Sequence, residues 1–173
     1  MPIAAEINEP LIREYITRGV SSVFKTMLGH LPVFVGAGHE QNNGRPGPAS
    51  GLIPFVVGTV GFLGDANGLI YLYLEESFAQ LCTCQLLGMT GCELEIAGDE
   101  AINDAIGELT NMTAGSFKNG LCDSGYQCKL TIPSILRGSN FSVEPISSAT
   151  RYVYHYESAG RKLIADILLK TND

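Results

Sequence analysis

Residues 98–120 read GDEAINDAIGELTNMTAGSFKNG. Ile102, Ala105, Ile106, Leu109, Met112, Thr113 and Phe117 recur at helical spacing and make an apolar stripe. The spacing predicts a long helix over 98–120 that docks through this stripe. Asp99 is the expected N-cap, and the acidic residues of the first turn suit the helix dipole. A second stripe runs through Asp104, Glu108, Asn111, Gly115 and Lys118. Glu108 lies about 200° around the helix from Ile106, so this stripe faces away from the core. Asn and Gly inside an exposed helix each cost up to about 1 kcal/mol relative to Ala. A closely approaching partner would explain both, with Gly115 removing bulk beside Asn111.

Outward from this helix, residues 9–28 (EPLIREYITRGVSSVFKTML) repeat the helical spacing, with Pro10 in the first turn and Gly29 at the C-terminal stop. LPVFVGAG follows as a short strand. Residues 36–51 are Gly/Pro/Asn-rich and are expected to form a surface loop, which with Asn43 and Arg45 resembles an insertion. Residues 54–63 and 68–74 are β-rich and flank GDAN, the signature of a hairpin. A short helix is expected over 76–88. Strand signals return at 127–132, 151–157 and 162–169, and SAGR joins the last two runs.

The order of helix, strand, loop and hairpin therefore occurs twice. Val23-Phe24-Lys25 aligns with Ser116-Phe117-Lys118 at an offset of 93, and Leu69-Ile70 with Leu163-Ile164 at 94. The expectation is one domain of two pseudo-repeats, about 1–90 and 91–173. Its fold class is α+β, an antiparallel sheet with two long helices on one face. At the offset of 93, Tyr15 falls opposite Glu108 and Arg18 opposite Asn111, so only the second helix carries the Glu/Asn pair.

Of the 173 residues, 45% are apolar and 17% charged, enough for a sizeable core and too few charges for disorder. The formal charge is −7 and no Lys/Arg cluster occurs, which argues against nucleic acid as a partner. MPIAAEINEP has no basic region leading into an apolar run, and no stretch of 18 apolar residues occurs. No signal peptide and no membrane span are expected, and the localisation expected is cytoplasmic.

The five cysteines are Cys82, Cys84, Cys92, Cys122 and Cys128. Cys82 and Cys84 stand as C-x-C, not the C-x-x-C of zinc sites, and the expected role of the thiols is packing. Tyr152, Tyr154 and Tyr156 alternate on one face of their strand, expected to be the solvent or dimer-seam side, with Val153 and His155 opposite. His155 is expected to be packed or capped. Glu-x-x-Asn also occurs at Glu40/Asn43 and Glu100/Asn103, so spacing alone does not separate a site from a solvated face.

The run Asp104-x-x-x-Glu108-x-x-Asn111, followed by Met112, Ala114, Gly115 and, twenty-two positions after the Asn, Pro133, resembles the signature of the CheC/CheX/FliY phosphatases. VGTVGFLGDANGLIYL and Leu86-Leu87-Gly88 are similar to a CheX-type chain, and so is the single Glu/Asn pair. The resemblance implies a CheC-like internal duplication and hydrolysis of the aspartyl phosphate of a CheY-type response regulator. By that carry-over Asn111 orients the attacking water, Glu108 pairs with the receiver's active-site lysine, and Asp104 supports them. No cofactor of its own is implied, since the receiver brings the phosphate and Mg²⁺. The resemblance also implies a homodimer joined through the sheet. The alternative is a non-catalytic module that docks a response regulator or a flagellar-switch partner on the same fold.

Overall fold

A computed structural model gives the fold and describes residues 6–38, 53–139, 141, 143–144 and 148–172. The elements are α1 (Glu9–Leu28), β1 (Val33–Ala37), β2 (Phe55–Gly64), β3 (Ala66–Glu75), α2 (Glu76–Leu87), α3 (Gly91–Ala97), α4 (Asp99–Asp123), β4 (Cys128–Leu130), β5 (Ser134–Gly138), β6 (Thr150–Ser158) and β7 (Arg161–Thr171). From residue 39 on, the expected loop, with Glu40, Asn43 and Arg45, lies outside the described residues.

The strands form one seven-stranded sheet in the order β1-β6-β7-β3-β2-β4, with β5 also on β2. All pairs are antiparallel. Exchanging β1 with β4, β2 with β6 and β3 with β7 reverses this order and leaves it unchanged. The strand match between repeats needs a different register, however. Leu69 is 38% exposed, whereas Leu163 is fully buried against the helices. The offset of 94 therefore joins opposite faces, because one residue of slip turns a strand over. At 93, the helix offset, Ile70 meets Leu163, and both lie in the helix-side core.

α1 and α4 cover one face of the sheet. Asn8 caps α1 by accepting a hydrogen bond from the Leu11 N–H at 3.1 Å, Pro10 sits in the first turn, and Gly29 ends the helix at φ 69°. Phe24 of α1, Phe78 of α2 and Phe117 of α4 are fully buried in the shared core. The opposite face carries a smaller cluster of Phe55, Val57, Tyr73, Val153 and Ile164, with Phe141 packed on it.

Tyr152, Tyr154 and Tyr156 point toward the helices, not toward solvent or a seam. Tyr156 bonds the Thr17 hydroxyl at 2.8 Å, and the Tyr154 hydroxyl donates to the Glu9 carboxylate at 3.2 Å. The alternation is as expected, but the tyrosine face is the one the helices cover, and on the other face Val153 is buried. His155 is half-buried on the other face.

Candidate functional site

α4 runs from 99 rather than from an N-cap at 99. Gly98 is the cap, at φ 72° and ψ −161°, and no side chain caps the helix. Gly98 serves both helices: it ends α3, its N–H donating to the Leu94 carbonyl at 2.8 Å, and it is the cap from which α4 starts. Glycine alone takes that φ without strain. Asp99 and Glu100 fall in the first turn.

Ile102, Ala105, Ile106, Leu109, Thr113 and Phe117 are buried as expected, but Met112 is only half-buried at the margin of the stripe. Thr110 and Ala114 are buried as well. The Thr110 and Thr113 hydroxyls donate to the carbonyls of Ile106 and Leu109, at 2.6 and 2.8 Å. Their polar atoms are thus satisfied inside the helix, so threonine can face the core.

The opposite stripe emerges at the surface. Asp104 and Glu108 are exposed; Asn111, Gly115 and Lys118 are half-buried. At i and i+3, the Cβ atoms of Glu108 and Asn111 are neighbours, about 5–6 Å apart. Among the described residues, neither side chain makes a hydrogen bond or ion pair. A free carboxylate and a free amide therefore stand together on a rigid helix. A Cβ at Gly115 would touch only Leu130 Cδ1, at 4.0 Å. Internal packing does not require glycine here.

The corresponding positions of α1 are used differently. Tyr15 is buried and its hydroxyl bonds that of Ser124, while the Arg18 guanidinium lies 5.3 Å from the Tyr15 ring centre. Tyr15 packs α1 against the end of α4, where Gly120 faces its ring, and Arg18 lies over that ring from the same helix. On the other flank of α4, Leu130 abuts Gly115, and the Arg137 guanidinium donates to the Asp99 carbonyl at 3.3 Å. The β4–β5 edge thus runs beside the exposed stripe. The sequence reading missed β5 and this edge.

Cys82 and Cys128 are buried, Cys84 and Cys122 half-buried and Cys92 exposed. Burial pushes the Cys82 thiol up to about 12 and, with Cys122 beside it, the Cys128 thiol up to about 11. Among the described residues, no three His, Cys, Asp or Glu side chains come together as a metal site. No helix there is long and apolar enough to cross a membrane.

The fold is α+β, an antiparallel sheet with its long helices on one face, and α4 presents a carboxylate and an amide on its outer side. The family model described as chemotaxis phosphatase CheX matches residues 56–157. The CheY-P phosphatase CheX of Thermotoga maritima is 30% identical over 128 residues, covering 72% of this chain and 76% of that protein. A chemotaxis protein CheX from Desulfovibrio desulfuricans superposes with a TM-score of 0.76 at 20% identity, over 92% of this chain and 99% of that one. CheX in a CheX–CheY–BeF3–Mg²⁺ complex from Borrelia burgdorferi superposes with a TM-score of 0.67 at 18% identity, over 91% and 96%. The chain belongs to the chemotaxis phosphatase CheX family.

Proposed function

We propose that this chain hydrolyses the aspartyl phosphate of a CheY-type response regulator, with α4 as the element that enters the receiver's active site. The observation that carries this is the Glu108/Asn111 pair, unpartnered among the described residues and displayed on the outer face of α4 in a chain of this family. The Thermotoga relative is named for the same reaction, and the Borrelia structure holds a CheX with a CheY.

The chemistry suits these groups. Transfer of a phosphoryl group to water needs positioning and charge stabilisation more than a covalent nucleophile. The Asn111 amide can donate to and accept from one water, which fixes that water in line with the phosphorus. Glu108 offers a charge-assisted bond to the receiver's lysine and sets the register of the helix. Asp104, one turn before Glu108, supports that contact. Gly115 lets the receiver surface come close to Asn111. The Mg²⁺ that neutralises the phosphoryl oxygens belongs to the receiver, and this chain supplies no cofactor. With Tyr15 and Arg18 occupied in helix packing, each chain carries one site.

The site of action is the cytoplasm, and the working form is a homodimer joined through the sheet. β1 supports this, as an edge strand with Val33 62% and Val35 58% exposed. The test of the function is the lifetime of a phosphorylated CheY-type receiver with and without the protein. A shortened lifetime is expected. Binding with an unchanged lifetime would make the α4 face a docking surface only.

A further inference from the structure

The exposed stripe of α4 is polar, and polar contacts orient a partner more than they hold it. Docking energy comes from a few side chains that become fully desolvated. Ile132, in the connection between β4 and β5, is 87% exposed. Two contacts fix this connection along α4: Leu130 against Gly115, and Arg137 against Asp99. Between positions 99 and 115 a helix rises about 24 Å. Between 130 and 137 an extended chain covers about 23 Å. The two therefore run side by side in opposite directions, which places Ile132 alongside the stretch of α4 between Asp99 and Gly115.

The connection is also held firmly. The Thr131 N–H donates to the Gly61 carbonyl at 2.8 Å, and its hydroxyl accepts from the Gly61 N–H at 2.9 Å. Pro133 confines the backbone of the residue before it to extended conformations. A fixed apolar side chain thus stands on the edge that flanks the exposed stripe of α4, with nothing of its own chain to cover it among the described residues.

We propose that Ile132 is the apolar anchor for the phosphorylated receiver. It buries against the receiver beside the active-site opening while Glu108 and Asn111 reach inside. Ile132 is a positioning residue, and it sets affinity rather than the chemical step. This rests on the function proposed above, and continuity with the α4 stripe is what selects a receiver as the occupant.

The experiment compares wild type with Ile132→Ser and Ile132→Val. It measures affinity for a beryllofluoride-loaded CheY-type receiver, steady-state phosphate release, and oligomeric state. In Ile132→Ser, Kd and KM are expected to rise about tenfold, the equivalent of ~1.4 kcal/mol. The expected kcat and melting temperature are unchanged, with most of the affinity restored by Ile132→Val. Unchanged Kd and KM in Ile132→Ser would overturn the proposal, as would a fall in kcat alone. A shift toward monomer with receiver binding intact would also overturn it and make a second copy the occupant. If wild type binds the receiver without hydrolysis, the function fails while the affinity arm still decides Ile132. If wild type does not bind at all, both fail.

Discussion

Thr110 fills the space beside Gly58: a Cβ built on Gly58 would lie 1.9 Å from the Thr110 hydroxyl oxygen. This contact sets the height of α4 over β2 and leaves no room for a larger residue. Gly58→Ala is expected to force the helix outward and destabilise the fold by about 2–3 kcal/mol or more. Urea unfolding measures this, and Gly58→Ala with Thr110→Ala should recover only part of the loss, because the Cβ kept at position 110 would still lie 2.8 Å away. An additive double variant would contradict the contact.

Gly115 is the opposite case. Its place in the helix has open space around it, and glycine costs a helix about 1 kcal/mol relative to alanine. Gly115→Ala is expected to raise stability by roughly 0.5–1 kcal/mol. Gly115→Leu should fold equally well and bind the receiver more weakly. A destabilised Gly115→Ala would show that the glycine serves the fold.

Asp166 is fully buried on the face opposite the helices, and Arg151 grips it with two hydrogen bonds at 3.0 and 2.8 Å. Arg151 also donates to the Val143 carbonyl at 3.3 Å. Burial raises the Asp166 carboxyl above its usual range, against the pull of Arg151. Removing one partner of a buried pair strands the other, so Arg151→Met is expected to cost about 3 kcal/mol at neutral pH. A carboxyl raised in the folded state penalises stability only above its unfolded value of about 3.9, so the loss should shrink toward pH 4. Urea titrations of both proteins at the two pH values check this. A loss independent of pH would place the cost elsewhere.

The thiols differ in access. Cys92 is exposed and should react with a thiol reagent in the native protein. Cys82, fully buried with its thiol raised to about 12, should react only on unfolding. Mass mapping of the modified positions gives the order.

Much of the fold was legible because its periods are clean. α1 shows its helical spacing, Pro10 and Gly29; β2 and β3 show a hairpin around GDAN. α3 was missed although Thr90 and Glu93 spell a capping box, because seven residues are too few to show a helical period. β5 was missed because SILRG lies at the sheet edge, where the burial pattern is irregular. The tyrosines of β6 lie on the helix side rather than the solvent or seam side because alternation separates two faces without saying which one the helices cover. At the site, Glu108 and Asn111 were visible because helical geometry fixes their face. Ile132 was not, because a non-repeating connection has no period, and its exposure follows only from how β4 and β5 pass α4.

The most direct measurement is single-turnover phosphate release from a phosphorylated CheY-type receiver by Asn111→Ala, with affinity for the beryllofluoride-loaded receiver measured in parallel. Loss of a water-positioning amide predicts a fall in rate of about 100-fold or more with affinity little changed. A variant that binds equally well and hydrolyses at the wild-type rate would contradict the role of Asn111, and with it the assignment of α4 as the catalytic element.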